Sequence, residues 1–517
     1  MQLKRIVRKK KAELPYTGID GKPLKDLKFS ASRAENLAML REIFKDIDVL
    51  KVREFANRHD SSIQGAIVYF EGLANGETVN ENVLYPLMKT PIAPPEGAPL
   101  SEILSTVLPM GDITMAKDFE DLVQRVTYGD TAFFIDGVDQ IVIIDTKGWQ
   151  TRSISEPESE KVLRGPREGF TEGLMINLSL IRRRIRSNRL KMKFQTLGDT
   201  THTQACLCYI EGIAKPEMVE EVKKRISTFD MDGLLDVNYL AEFITDSPYS
   251  PVSTVGITEK PDVVAARLLE GRVAVLLDGT PIVLSAPYLL IESFQSDEDY
   301  YVNYLYASIS RILRILAFFI TISLPAIYVA LVTYHQELIP TPLLISISAS
   351  RQNVPFPTIL ETFLMLAVFD ILRETGIRVP MGVGQALSIV GALVIGQATV
   401  EAKIVSAPLL IVIAMTGITG LMVPKLKSSA MIFRAFLLVL SSVLGLYGWI
   451  FGMAALLLHL LNVRSFGLPI ITPLSKPSWQ QLKDLAVRAP WWNMRTRPSF
   501  LSRNRVRMGP NPREKSQ

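Results

Sequence analysis

The chain has 517 residues, 57 Lys and Arg against 52 Asp and Glu, a net charge of +5 and a mean hydropathy of +0.21. So mild a charge does not mark a nucleic-acid binder, and a length of this order leaves room for several domains. Hydrophobic residues make up 48% of the chain, and their excess lies in its last two fifths, so a soluble region is expected to precede a membrane region.

Residues 1–30 are charged and punctuated by Pro and Gly, and read as a basic flexible tail. The run Lys4-Arg5-Ile6-Val7-Arg8-Lys9-Lys10-Lys11 is followed by no apolar segment, which argues against a secretory signal and for a cytoplasmic soluble half. Ser32 is the N-cap candidate for an amphipathic helix from Ala34 to Leu50, with Leu37, Leu40 and Ile43 at helical spacing.

An internal repeat follows. The strand-and-turn pattern Gly65 to Ala74 recurs at Ala205 to Ala214, and helical patterns follow at Val79 to Met88 and at Met218 to Ile226. A second pair, Gly129 to Ile144 and Gly271 to Ala286, carries Asp136-Gly137 and Asp278-Gly279 between apolar runs, which is a hairpin signal. The expected fold is therefore an α/β (α+β) soluble region of two tandem related units, followed by an α-helical polytopic membrane domain. The expected boundaries are a first unit at 31–160, a linking helix at 161–190, a second unit at 191–305, a transmembrane domain at 306–463 and a basic cytoplasmic tail at 464–517.

In the linking helix, Phe170, Leu174, Leu178, Ile181 and Ile185 form one stripe. Arg182, Arg183, Arg184 and Arg186 lie off it and are candidates for subunit or lipid contact. Nucleic acid is not an expected partner, because no aromatic residues interleave with the arginines. Cys206 and Cys208 share one strand face with no further ligands beside them, so neither a metal nor a cofactor is expected. The four histidines, His59, His202, His335 and His459, are scattered. With no phosphate loop and no nucleophile elbow, an enzyme is not expected.

The membrane block begins with Ile312 to Tyr334, flanked by Arg311 and Arg314 on the expected cytoplasmic side. Phe356 to Leu372 is interrupted by Glu361 and Asp370, which fall on roughly opposite sides of a helix, so that one can face an ion path while the other pairs elsewhere, for instance with Arg373. Gly382 to Thr399 aligns Gln385, Ser388, Ala392, Gly396 and Thr399 on one face, suited either to close helix packing or to a water-filled path. Ile404 to Val423 is a fourth run. Met431 to Leu461, broken by Gly445, Gly448 and Gly452, is either one long helix or a hairpin. A cytoplasmic N-terminal half and basic tail require an even number of crossings. Four are favoured, with Phe356 to Leu372 re-entrant or lying inside the assembly, although this places Lys425 and Lys427 on the outer face.

Several separated motifs resemble one family. They are Gly165-Pro166-Arg167-Glu168-Gly169-Phe170 with Asn177 to Ile185, Asp278-Gly279-Thr280-Pro281, Ser350-Arg351-Gln352-Asn353-Val354-Pro355-Phe356-Pro357, Ile395-Gly396-Gln397-Ala398 and Arg488-Ala489-Pro490-Trp491-Trp492. In this order they are similar to the A subunits of bacterial spore-germination nutrient receptors, the GerA family. The resemblance implies a multi-pass protein of the spore inner membrane, working with a transporter-like B subunit and a lipoprotein C subunit. It also implies a homo-oligomeric ring that conducts cations when a nutrient binds, the germinant pocket belonging mainly to the B subunit. Glu361, Asp370, Gln385, Ser388 and Gln397 are then the ion-path candidates. A paralogous channel subunit tied to dipicolinic-acid release and a secondary transporter stay open as alternatives.

Overall fold

The computed structural model describes residues 22–59, 64–91, 107–109, 113–148, 160–378, 396–472, 483–504 and 506–507. It divides into two compact units. The first comprises 1–248, 255–288 and 490–517, and the second 249–254 and 289–489.

Helix α1 (Arg33–Ile43) opens the first unit. Ser32 accepts the Glu35 amide at its start, as its residue type predicts. The helix ends at Ile43 rather than Leu50, because Leu50 already begins strand β1 (Leu50–Ala56). There follow β2 (Gln64–Phe70), a helical run over 76–89 (α2), β3 (Ile113–Met115), α3 (Phe119–Val126), β4 (Thr131–Ile135) and β5 (Val142–Ile144). Helix α4 (Leu174–Arg184) then leads into β6 (Leu190–Leu197), β7 (Thr203–Ile210), α5 (Pro216–Ser227), α6 (Val237–Ile244), β8 (Gly256–Thr258), α7 (Pro261–Glu270), β9 (Val273–Leu277) and β10 (Val283–Ala286).

The two sheets have the orders β1-β2-β4-β5-β3 and β6-β7-β9-β10-β8, so each strand of the first has its counterpart in the second. The duplication extends to single hydrogen bonds. Asn36 holds Ser30 through its side-chain amide, accepting at 2.9 Å and donating at 2.7 Å, and Asn177 holds Thr171 in the same way at 2.8 and 2.6 Å. The Asp136 carboxylate accepts the first amide of α1 from Arg33 at 3.1 Å, and the Asp278 carboxylate accepts the first amide of α4 from Leu174 at 3.0 Å. Helix α4 is therefore the counterpart of α1 and opens the second copy, where a separate linking helix was expected.

The Asp-Gly pairs do lie in β-hairpins, as expected, but in loops longer than a tight turn. β4 and β5 last pair at Phe133 and Val142, across a longer loop. Gly137 and Gly279, at φ +85° and +87°, supply the left-handed turn that aims each aspartate at a helix N-terminus. Both copies share one hydrophobic core, in which Leu37, Leu40 and Ile43 of α1 meet Leu178 and Ile181 of α4.

In the second unit, α8 (Tyr304–Tyr334) is followed by α9 (Thr341–Arg351), α10 (Thr358–Arg378), α11 (Ala407–Leu421) and α12 (Lys427–Asn462). Among the described residues, two stretches, Tyr304–Tyr334 and Pro424–Asn462, are long and apolar enough to cross a membrane. The second is not one straight rod. Gly445 sits at φ 61°, ψ −139°, a conformation open in practice only to glycine. Ser429 donates to the Pro251 carbonyl at 2.6 Å while His459 lies 3.0 Å from the neighbouring Ser250 hydroxyl. In a continuous helix Ser429 and His459 would stand about 45 Å apart. Residues 427–444 and 446–462 thus form a hairpin, with Gly448 against the Leu440 backbone and Gly452 against Leu437.

Two ends of the bundle can be followed. α8 and α11 run antiparallel, since Thr321 meets Thr419 at 2.8 Å while Tyr328 packs with Val405 and Leu409. α10 runs alongside α11, with Glu361 at Ser406 and Glu374 3.9 Å from Lys427. It therefore passes along the bundle instead of turning back within it, as a re-entrant segment would. The starts of α8 and of the hairpin, and the ends of α10 and α11, share one end, termed near. The close of α8 and the Gly445 turn mark the far end, where the Tyr334 hydroxyl donates to the Ser442 carbonyl at 2.5 Å.

Candidate functional site

The polar groups inside the helical unit form two sites on α10, separated by nine residues or about 13 Å along its axis. Toward the far end Glu361 is 1% exposed. Its Oε1 accepts the Ser406 backbone amide and, at 2.7 Å, the Ser406 hydroxyl. Ser406 is the N-cap of α11, so the carboxylate sits at the positive end of a 15-residue helix, where negative charge is stabilised. Its Oε2 has no hydrogen-bond partner among the described residues, nor has the Nε of Arg351. A buried carboxylate with one free oxygen is suited to hold a cation or a proton.

Toward the near end Asp370 pairs with Arg434 of the hairpin at 2.5 Å. The expected partner was Arg373, but that guanidinium lies near Gly420 at the end of α11 instead. Intervals of four residues or so cannot rank partners on different helices, and Arg434 reaches Asp370 only because the hairpin packs beside α10. Gln397 is exposed and donates to Glu401 one turn on, at 2.9 Å, so it joins neither site. Gln385 and Ser388 lie outside the described residues.

Of the four arginines offered as subunit or lipid contacts, Arg182 is withdrawn from the surface and the other three have partners within the chain. Arg182 is 1% exposed; it donates to the Ser187 and Leu190 carbonyls at 3.0 and 3.2 Å and stacks on Phe70 at 4.7 Å. Burial pulls its guanidinium down to about 10. Arg183 and Arg184 reach Glu168 at 3.5 and 2.7 Å, and Arg186 lies 3.6 Å over the Tyr128 ring. Phe70 and Tyr128 belong to the first copy, so this helix ties the two copies together. Arg182 is off the stripe by helical angle, yet the neighbouring sheet covers that side too, which a single-helix projection does not show.

Sequence reasoning also missed a charged clamp at the start of α8. Arg311, 1% exposed, donates to Asp299 at 2.9 Å and to Asp484 at 2.7 Å. Arg314 binds the other oxygen of Asp299, and Arg488 donates to the Val302 carbonyl at 2.9 Å. Burial pushes the Asp299 carboxyl up, but the hydrogen bonds from Arg314 and Arg311 outweigh it and hold the group below its ordinary value. Arg311 and Arg314 were expected only as charges flanking the start of the first span. The acidic run just before them was the available signal for their pairing.

The Bacillus/Clostridium GerA spore germination protein family matches residues 38–500. Spore germination protein KA of Bacillus subtilis is 41% identical over 94% of this chain and 89% of its own length. Membrane protein YfkQ of the same organism is 41% identical over 92% of each. The solved N-terminal domain of the A subunit of the Bacillus megaterium spore germinant receptor GerK3 is 30% identical, covering 51% of this chain and 98% of that one, with a TM-score of 0.41.

Proposed function

Since the chain belongs to the Bacillus/Clostridium GerA spore germination protein family, we propose that it is the A subunit of a nutrient-germinant receptor whose helical unit gates a cation path across the spore inner membrane. Glu361 carries this reading. A carboxylate buried among membrane helices, with one oxygen free and the other at a helix N-terminus, is costly unless it serves a passing or bound cation. Copies of the chain surround the path, and a transporter-like B subunit and a lipoprotein C subunit complete the complex.

In this scheme α8, α10, α11 and the two arms of the hairpin each traverse the membrane. The arms, of 18 and 17 residues, reach about 27 and 26 Å, close to the hydrocarbon thickness. Counting the apolar run Gly382 to Thr399 as a span on its sequence alone, since most of it lies outside the described residues, makes six crossings, an even number. Both the soluble half and the tail then face the cytoplasm. Lys425 and Lys427, misplaced under four crossings, fall at the near, cytoplasmic end.

The test is cation release from spores on nutrient addition. Glu361→Gln at unchanged protein level is expected to slow release roughly tenfold or more, as loss of one charge site implies. Wild-type release from this variant would remove Glu361 from the path.

A further inference from the structure

Between α10, α11 and the hairpin lies a cavity of about 550 Å³. Its walls are apolar, from Phe363, Leu366, Ile371 and Met431 among others, and its floor is charged. Three cations line it, Arg373, Lys427 and Arg434, against two carboxylates, Asp370 and Glu374. Asp370 is taken by Arg434 at 2.5 Å, and Glu374 faces Lys427 at 3.9 Å. Arg373 has no carboxylate among the cavity residues left to it. Its guanidinium lies near Gly420, close to the carbonyl end of α11, whose partial negative charge offsets only part of a cation. Ile371 and Met431 are 65% and 53% exposed, so the cavity opens on the side of the bundle.

A greasy slot with one cation in excess at its base, at the near end of membrane helices, has the chemistry of an amphiphile with an anionic head. We propose that this cavity binds one anionic phospholipid of the cytoplasmic leaflet, its phosphate on Arg373 and an acyl chain along Phe363, Leu366 and Met431. The site rests on the membrane reading above. It brings α10, which carries both acids, and the hairpin under the control of lipid composition.

The full-length protein in detergent is melted with added phosphatidylglycerol, phosphatidylcholine or inorganic phosphate. Phosphatidylglycerol is expected to raise Tm by about 5 °C or more, the shift given by a ligand at a hundredfold its Kd. Arg373→Gln loses this shift, while Arg464→Gln, a change at an exposed arginine, keeps it. Equal shifts from phosphatidylcholine, or a shift that survives Arg373→Gln, overturn the site. An equal shift from inorganic phosphate overturns the lipid and leaves a small-anion site. Should Arg373→Gln fail to fold, native mass spectrometry of the wild type decides. One phosphatidylglycerol retained per chain where phosphatidylcholine is stripped supports the proposal, and none retained refutes it. Failure of the membrane reading itself shows differently, as a protein soluble without detergent.

Discussion

Replacing Arg311 by Leu tests the clamp at the root of α8. Arg311 is 1% exposed and joins Asp299, Asp484 and the Leu485 carbonyl, the last at 3.1 Å. Removing one member of a buried ion pair costs about 3–5 kcal/mol, because the remaining charge stays buried and uncompensated. Two features place this site at the lower end. Asp299 keeps Arg314, and the Asp484 side chain is 30% exposed and rehydrates. A loss of about 3 kcal/mol follows, or roughly 6–12 °C in Tm for a unit of some 200 residues. The assay is a thermal ramp of the full-length protein in detergent, read by size-exclusion chromatography. Arg311→Lys recovers part of the loss through a single pair. A shift below about 2 °C for Arg311→Leu refutes the claim that the cluster holds the start of α8.

Other expectations concern the rest of the chain. Gly445→Ala puts a Cβ 2.9 Å from the His335 ring in a backbone conformation closed to alanine, so about 1–3 kcal/mol is lost and melting in detergent reads it. Asn177→Ala removes the buried amide that holds Thr171, at about 1–3 kcal/mol, and a denaturant midpoint followed by far-UV dichroism reports it. Glu168→Gln breaks only part-exposed pairs with Arg183 and Arg184, so its midpoint moves by less than about 1 kcal/mol. Burial raises the Glu270 carboxyl, but Arg272 and Arg507 outweigh this and hold it below its ordinary value of 4.5. A depressed carboxylate stabilises the folded state above its ordinary value and loses that contribution as pH falls through the folded one. Protease protection of the segment around Arg507 is thus flat from neutral pH down to about 5 and falls only below about 4.

The sequence carried the periodic features well. The repeat, the Ser32 cap and the broken last helix were legible because alternation, cap residues and glycines act locally. Partnerships between distant elements were not. Asp136 and Asp278 read as turn residues, and only the fold shows them capping helices more than 100 residues earlier in the chain. Arg182 read as an outward charge because helical angle says nothing of a sheet packed on the same side. Ser406 and Arg434 carry no sequence mark at all. They matter because Glu361 and Asp370 reach them from another helix.

The arrangement of the helical unit, on which the ion path and the lipid site both depend, can be tested by side-specific labelling. Cys206 and Cys208 are buried, so the wild type gives a low background. Ser346→Cys on α9 and Thr200→Cys in the first unit are both at exposed positions. In sealed right-side-out vesicles, an impermeant maleimide is predicted to label Ser346→Cys within minutes and Thr200→Cys only after permeabilisation. Labelling of both from the same side would contradict an odd number of crossings between them, and with it the topology proposed here.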